Sequence, residues 1–256
     1  MQALLTQFQV IHALVIRETR TRFGRHRLGY VWALVEPVLF IALFAGMYAL
    51  MDRRMPYDLP VVAFLVTGFI PYLAFQKTAQ QAMQAINGNK GLLFYPHVRP
   101  LDLVAARTAL EIATHVVVFA LLMAGAAMVD GVPRIDNLLM ATGGLLLGAG
   151  LGAALGMVLC GLSVFSNSVE RLIGPMMRPL FWVSALFFST NEIPSDARNV
   201  LLYNPVLHVV ELTRSGWFPG YDVPQVSLLY PALWIFILFY FGLTLERVAR
   251  RRLELS

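Results

Sequence analysis

Six apolar runs divide this chain, at about Leu28 to Met51, Val61 to Ala79, Val104 to Val129, Leu138 to Phe165, Leu172 to Phe188 and Val226 to Leu245. Each is about 20 residues or slightly more, the length a helix needs to cross a hydrocarbon core of roughly 30 Å. The spacing predicts an all-α integral membrane protein with six transmembrane helices, built as one domain over residues 1–256. Composition agrees: 58% of residues are hydrophobic, 14% are charged, and the mean hydropathy is +0.66.

Orientation follows from the stretch Arg17–Pro37. Arg17, Arg20, Arg22, Arg25 and Arg27 fall within eleven residues, and the chain then turns apolar. Lys and Arg resist translocation, so this start belongs on the cytoplasmic side. Six spans return the C-terminus to that side, and the assignment leaves fifteen of the twenty Lys and Arg inside. Both termini are therefore expected in the cytoplasm. The net charge of +5 does not point to nucleic acid, because the basic residues flank apolar runs instead of forming one exposed face. No cleaved signal peptide is expected. Cys160 stands alone, so no intramolecular disulfide is possible.

The connections carry their own signals. Residues 2–23 place Leu4, Leu5, Phe8, Ile11, His12, Val15 and Ile16 at helical spacing. An amphipathic helix too polar to span is expected here, with residues 1–27 lying along the cytoplasmic interface. Pro71 predicts a kink in the second span. A polar stretch over 80–103 follows that span. Residues 189–225 form the longest segment outside the spans. There Asn204-Pro205 reads as a helix start and Gly216 as its stop, with a shorter helix over Pro194–Leu202. Two short helices on the outer face, too short to cross, are expected as re-entrant or gating elements.

Several chemistries are excluded. The phosphate-cradling pattern G-x-x-x-x-G-K-[ST] is absent, so ATP hydrolysis by that loop is not open to this chain. His12, His26, His97, His115 and His208 show no metal-ligand spacing, and no metal site is expected. There is no G-x-S-x-G elbow.

Three constellations remain. Trp32, Glu36, Phe40, Phe44 and Tyr48 recur every four residues along the first span, making a stripe of aromatics around a carboxylate. Such a stripe suits either sugar faces sliding past or ordinary helix packing. Arg178-Pro179 in the fifth span mirrors Glu36-Pro37 in the first. Opposite charges at matched depth suit a meeting of the two, within or between subunits, or else each reaches the interface or water separately. Finally, Gly144, Gly148, Gly152 and Gly156 repeat every four residues, and close helix packing within one subunit is expected there.

Arg20-Thr21-Arg22-Phe23-Gly24, Leu28-Gly29-Tyr30-Val31-Trp32 and Glu36-Pro37 resemble the opening motif of the membrane subunits of ABC-2-type polysaccharide exporters. Tyr203-Asn204-Pro205-Val206-Leu207-His208-Val209-Val210-Glu211 is similar to their late NP-L-H-x-x-E segment, and the resemblance covers nearly the whole chain. Within that family it looks most like the capsular polysaccharide permeases. Phe23 stands where many members have Tyr.

The resemblance implies a homodimer bound to two copies of a separate ATPase. That subunit would hold the ATP and Mg, leaving no cofactor in this chain. It implies that residues 85–95 form the coupling segment, with Asn87, Lys90, Leu92, Leu93, Phe94 and Tyr95 as its contacts. Trp32, Glu36, Phe40, Phe44, Tyr48, Arg178, Phe181 and Trp182 would line a glycan channel. Arg17, Arg20, Arg22, Arg25 and Arg27 would attract anionic lipid or phosphate at the membrane surface. Asn204, Pro205, His208, Glu211 and Arg214 would form the periplasmic gate. In capsule systems a periplasmic co-polymerase and an outer-membrane exporter are further partners. The substrate would be a lipid-linked polysaccharide, with O-antigen or teichoic acid as variants on the same scaffold. An integral membrane transferase acting on lipid-linked sugars is the alternative from another class. It needs a carboxylate or histidine constellation at one depth, which Glu36 alone does not supply.

Overall fold

The computed structural model describes residues 2–23, 28–52, 55–92, 95, 98–131, 134–166 and 168–253. Those residues form nine α-helices and no strand. In order these are α1 (Gln2–Phe23), α2 (Leu28–Leu50), α3 (Val61–Met83), α4 (Pro100–Asp130), α5 (Leu138–Ser163), α6 (Ser168–Val183), α7 (Ser195–Leu201), α8 (Pro205–Trp217) and α9 (Leu229–Leu253). Among the described residues, five helices are long and apolar enough to cross a bilayer, namely α2, α3, α4, α5 and α9.

The expected fifth span is the correction. The apolar run from Leu172 to Phe188 is not one helix: α6 begins at Ser168 and stops at Val183, after 16 residues. That is roughly 24 Å at 1.5 Å per residue, short of the core thickness. The chain then turns sharply, with Ala185 at a φ of 59°. Its apolar character misled the reading, because the turn is buried against other helices and needs apolar side chains for that reason alone.

Helix α3 is the centre of the fold and is buried along nearly its whole length, while much of α2, α4 and α9 is exposed. Exposed apolar side chains such as Leu39, Leu43, Leu121, Phe236 and Phe239 suit contact with lipid. The glycine stripe on α5 does what its spacing predicts within one subunit. A Cβ on Gly148 would lie 2.8 Å from the Pro71 carbonyl oxygen, and one on Gly156 would lie 2.6 Å from that of Ala79. Gly144 meets Thr213 and Val209 of α8 in the same way, and Gly152 meets Phe75 of α3. Backbone-to-backbone packing thus locks α3, α5 and α8 together.

The two short helices after the turn are present. Asn204 caps α8, its Oδ1 accepting from the Val206 amide at 3.0 Å, and Pro205 takes the first helical position. Gly216 lies inside the last turn of α8 instead of ending it. Its missing side chain lets α8 pack against the backbone of Met140 and Ala141.

Helix α1 packs along α4. Leu14, with Val10, Ile11 and Val15, joins a second apolar cluster containing Ala82, Ile86, Leu103 and Cys160.

Candidate translocation groove

Three helices bring opposite charges to one place. Glu36 precedes Pro37 in α2, Lys77 lies in the second half of α3, and Arg178 precedes Pro179 in α6. All three line a cavity of about 360 Å³ with Phe40, Phe181 and Trp182. Lys77 Nζ donates to both carboxylate oxygens of Glu36, at 2.8 and 2.9 Å. The anticipated Glu36–Arg178 pair is therefore replaced within the chain by Glu36–Lys77. A lysine one helix away satisfies the carboxylate, and Arg178 shares the cavity with an exposed side chain. One pair plus one further cation leaves this wall net positive.

Aromatic rings pave the remaining surface. Phe69 meets Phe181 edge-on at 5.5 Å and Phe40 at 6.2 Å, and Phe181 meets Trp182 at 5.5 Å. The four-residue stripe of α2 divides here. Glu36 and Phe40 face the cavity. Phe44 leans on Phe187, with ring centroids 4.4 Å apart. Tyr48 is buried and donates its hydroxyl to the Phe187 carbonyl at 2.9 Å. Trp32 is exposed and is not among the cavity residues. Stripe spacing foretold a shared face but not how far along it the neighbouring helices reach.

The turn after α6 is clamped from two sides. Arg214 of α8 is fully buried, and its guanidinium donates to the carbonyls of Ala185 (2.5 Å), Leu186 (2.8 Å) and Phe188 (3.0 Å). Its Cζ sits 3.7 Å from the Phe64 ring centroid, in room left by Gly68. With Tyr48 on Phe187, four successive carbonyls that no helix could satisfy are met by side chains.

One turn back, Glu211 accepts from the Thr190 amide at 2.9 Å and lies 2.6 Å from the Tyr221 hydroxyl. Burial pushes the Glu211 carboxyl above the usual range, against the pull of Arg214 and these bonds. Burial likewise pushes the Tyr221 hydroxyl up, which keeps it a donor. His208 accepts the Ser227 amide on Nδ1 at 3.0 Å, so Nε2 carries the proton toward the Leu202 carbonyl at 2.9 Å. Burial lowers its pKa, in keeping with that neutral ring. Of the residues named from the sequence for the gate, the buried Arg214 and Glu211 thus hold the turn and the residues just after it, and the partly exposed Asn204 adds bonds to Ser184 (2.9 Å) and to the Val183 carbonyl (3.3 Å).

The segment after α3 forms a short 3₁₀ stretch, Asn87–Leu92. Asn89 is buried there. Its amide donates to Glu18 and to the Ala85 carbonyl, both at 3.1 Å, and its Oδ1 accepts from Arg17 at 2.7 Å. Glu18 also accepts from Arg107 at 3.1 Å, and Gln7 of α1 bonds Asp102 of α4. Asn87 donates to Glu170 at 2.7 Å and to Ser163 Oγ at 3.3 Å. Leu92 is partly buried and Tyr95 is exposed. Arg20 is exposed as well. Arg25, Arg27, Leu93 and Phe94 lie outside the described residues, as do the side chains of Arg22 and Lys90.

Sequence reasoning counted Lys77 with the charges around the following connection, although it lies before the expected end of the span at Ala79, because its partner on α2 is set by how the two helices cross. The helical spacing of Gln76, Lys77 and Gln80 was the available signal. Asn89 and Glu170 are set by tertiary contact and left no local trace. Glu111 and His115, buried 3.5 Å apart on successive turns of α4, were also passed over. Among the described residues, no group of three His, Cys, Asp or Glu could hold a metal ion.

A bundle of apolar helices around a charged, aromatic groove suits a membrane transport subunit. Residues 9–218 match the ABC-2 type transporter family of membrane proteins, and the chain belongs to that family. It is therefore a transport subunit and not an enzyme. The chain is similar to the polysialic acid transport protein KpsM of Escherichia coli, with 35% identity over 240 residues, 93% of this chain and 92% of that protein. It also resembles the capsule polysaccharide export inner-membrane proteins CtrC of Neisseria meningitidis serogroup A and BexB of Haemophilus influenzae. CtrC is 30% identical over 90% of this chain and 88% of its own length, and BexB 29% identical over 89% and 86%.

Proposed function

We propose that this chain is the channel-forming subunit of an exporter that moves lipid-linked capsular polysaccharide across the bacterial inner membrane. The observation that carries the reading is the groove between α2, α3 and α6, where Phe40, Phe181 and Trp182 surround Lys77, Glu36 and Arg178. Aromatic faces hold the C–H faces of sugars without fixing a register, so a chain can slide. Conduction needs sites that bind weakly enough to release. The net positive wall suits anionic groups on the glycan.

In this reading two copies of the subunit face each other across the glycan path. Helix α6 and the turn after it complete a sixth crossing, and both termini lie in the cytoplasm. Two copies of a separate ATPase bind ATP and Mg and dock on residues 85–95. Closure of the ATPases rocks the helices and advances the glycan. The basic face of α1 draws anionic lipid or phosphate toward the opening, although Arg17 is already engaged by Asn89. Helices α7 and α8 frame the gate on the periplasmic side, where a co-polymerase leading to an outer-membrane exporter would dock. The O-antigen variant has weaker support: the O-antigen export permease RfbA of Klebsiella pneumoniae is 22% identical over 87% of this chain.

Co-purification with its ATPase in detergent tests the assembly. A two-plus-two complex whose glycan-dependent ATPase activity is lost in Leu92→Ala/Tyr95→Ala supports the reading. A chain that purifies without any ATPase, from cells that make both, contradicts it.

A further inference from the structure

The groove wall formed by α6 is held lightly along its length. Ile173 and Met177 are its buried residues, and Pro175 and Pro179 each remove a backbone donor and soften the helix. Its middle and far end are tied: Tyr72 donates to the Met177 carbonyl at 2.7 Å, and the turn after Val183 is clamped by Arg214 and Tyr48. Its near end carries Glu170 in the first turn, where the helix dipole favours a carboxylate. That carboxylate accepts from Asn87 at 2.7 Å.

Asn87 is well placed for more than local packing. It opens the 3₁₀ stretch that links α3 to α4, and its two amide hydrogens go to different elements, one to Glu170 and one to Ser163 Oγ at the end of α5. Ser163 in turn donates to the Cys160 carbonyl at 2.8 Å, so its oxygen is free to accept. Two residues on, Asn89 ties the same stretch to Arg17 and Glu18 of α1. The stretch is thus braced on one side by α1 and linked on the other to α6.

We propose that Asn87 and Glu170 are positioning residues that couple residues 87–92 directly to the groove wall. Displacement of the stretch pulls the first turn of α6, and the proline-softened helix flexes about its tie at Met177, shifting Met176 and Arg178 on either side of it. The inference rests on the proposed function, since it takes the ATPase as the source of the displacement. It adds a route that bypasses α3 and α4.

The test uses the full permease–ATPase complex in nanodiscs, with an environment-sensitive fluorophore on Met176→Cys, an exposed position of α6. The probe added is ATP, Mg and vanadate. The parent complex is expected to shift the label on trapping. Asn87→Asp sets two carboxylates face to face, and most of the shift should be lost with the charge-assisted hydrogen bond. ATPase binding and basal hydrolysis should remain in Glu170→Ala, because Glu170 lies outside the docking segment. Glu170→Gln keeps an acceptor and should keep the shift. Asn87→Asp/Glu170→Gln reverses the donor and should restore it. Glu170→Ala serves as a second disruption if Asn87→Asp folds poorly. A merely structural bond would change the melting temperature without changing the label's response to trapping. An undiminished shift in both disrupted variants, failure of the reversed pair to rescue, or a parent complex that hydrolyses ATP with no shift at position 176 overturns the inference. A parent chain that binds no ATPase overturns the proposed function itself.

Discussion

Lys77 and Glu36 form a two-pronged ion pair across α3 and α2, each side chain about one-third exposed (30% and 34%). Its half-open setting decides its worth. Water screens it enough that the pair adds about 1 kcal/mol at most, yet removing one partner leaves the other without its hydrogen-bonded counter-ion. Lys77→Met and Glu36→Gln are each expected to cut export, with a fall of a few degrees in the detergent melting temperature. The exchange Glu36→Lys/Lys77→Glu should recover most of both. Comparing export and melting across the three variants checks this, and an exchange no better than the single changes would contradict the pairing.

Arg214 is a structural clamp. Arg214→Met removes the donors to three carbonyls and strips Glu211 of its cationic neighbour, at a cost of about 3 kcal/mol or more. Arg214→Lys keeps the charge but lacks the fork that reaches several carbonyls at once. Folded yield should fall sharply for the first and partly for the second, as read by size-exclusion profiles in detergent.

Two glycines on one helix should behave oppositely. Gly148→Ala drives a methyl into the Pro71 carbonyl and should destabilise by about 1–3 kcal/mol. Gly143 has nothing within 4 Å of a built Cβ, so Gly143→Ala should be neutral or stabilise by up to about 1 kcal/mol through helix propensity. Thermal melts of the two variants side by side distinguish packing from propensity.

His208 gives stability a pH dependence. Its folded pKa lies below the ordinary 6.5, so the unfolded chain takes up the proton first as pH falls. Its contribution is complete above about 6.5 and is lost as pH drops through and below that value. Wild-type melting temperature should therefore fall more steeply from pH 8 to pH 5 than that of His208→Asn. Parallel slopes would contradict this origin.

The sequence disclosed what depends on local pattern. Helical spacing of Gly144 through Gly156 announced the close packing of α5, and Asn204-Pro205 marked the start of α8 to the residue. Long apolar runs located α2, α3, α4, α5 and α9, because length and hydropathy are properties of a segment by itself. What escaped depends on which helix lies beside which. Glu36 could be seen to need a cation, but whether Lys77 or Arg178 supplied it is set by the crossing of α2 and α3. Tyr48 read as one more member of an aromatic stripe, yet its hydroxyl holds the turn at Phe187. The end of α6 at Val183 was hidden because a buried turn and a membrane span are equally apolar.

Site-specific photo-crosslinking during active export tests the groove as the glycan path. A photoreactive residue replaces Phe181, which lines the cavity, or Phe236, which is exposed on the outer face of α9. The groove reading predicts ATP-dependent glycan adducts at position 181 and none at position 236. Adducts at 236 but not at 181, in cells that are exporting, would place the glycan elsewhere and contradict it.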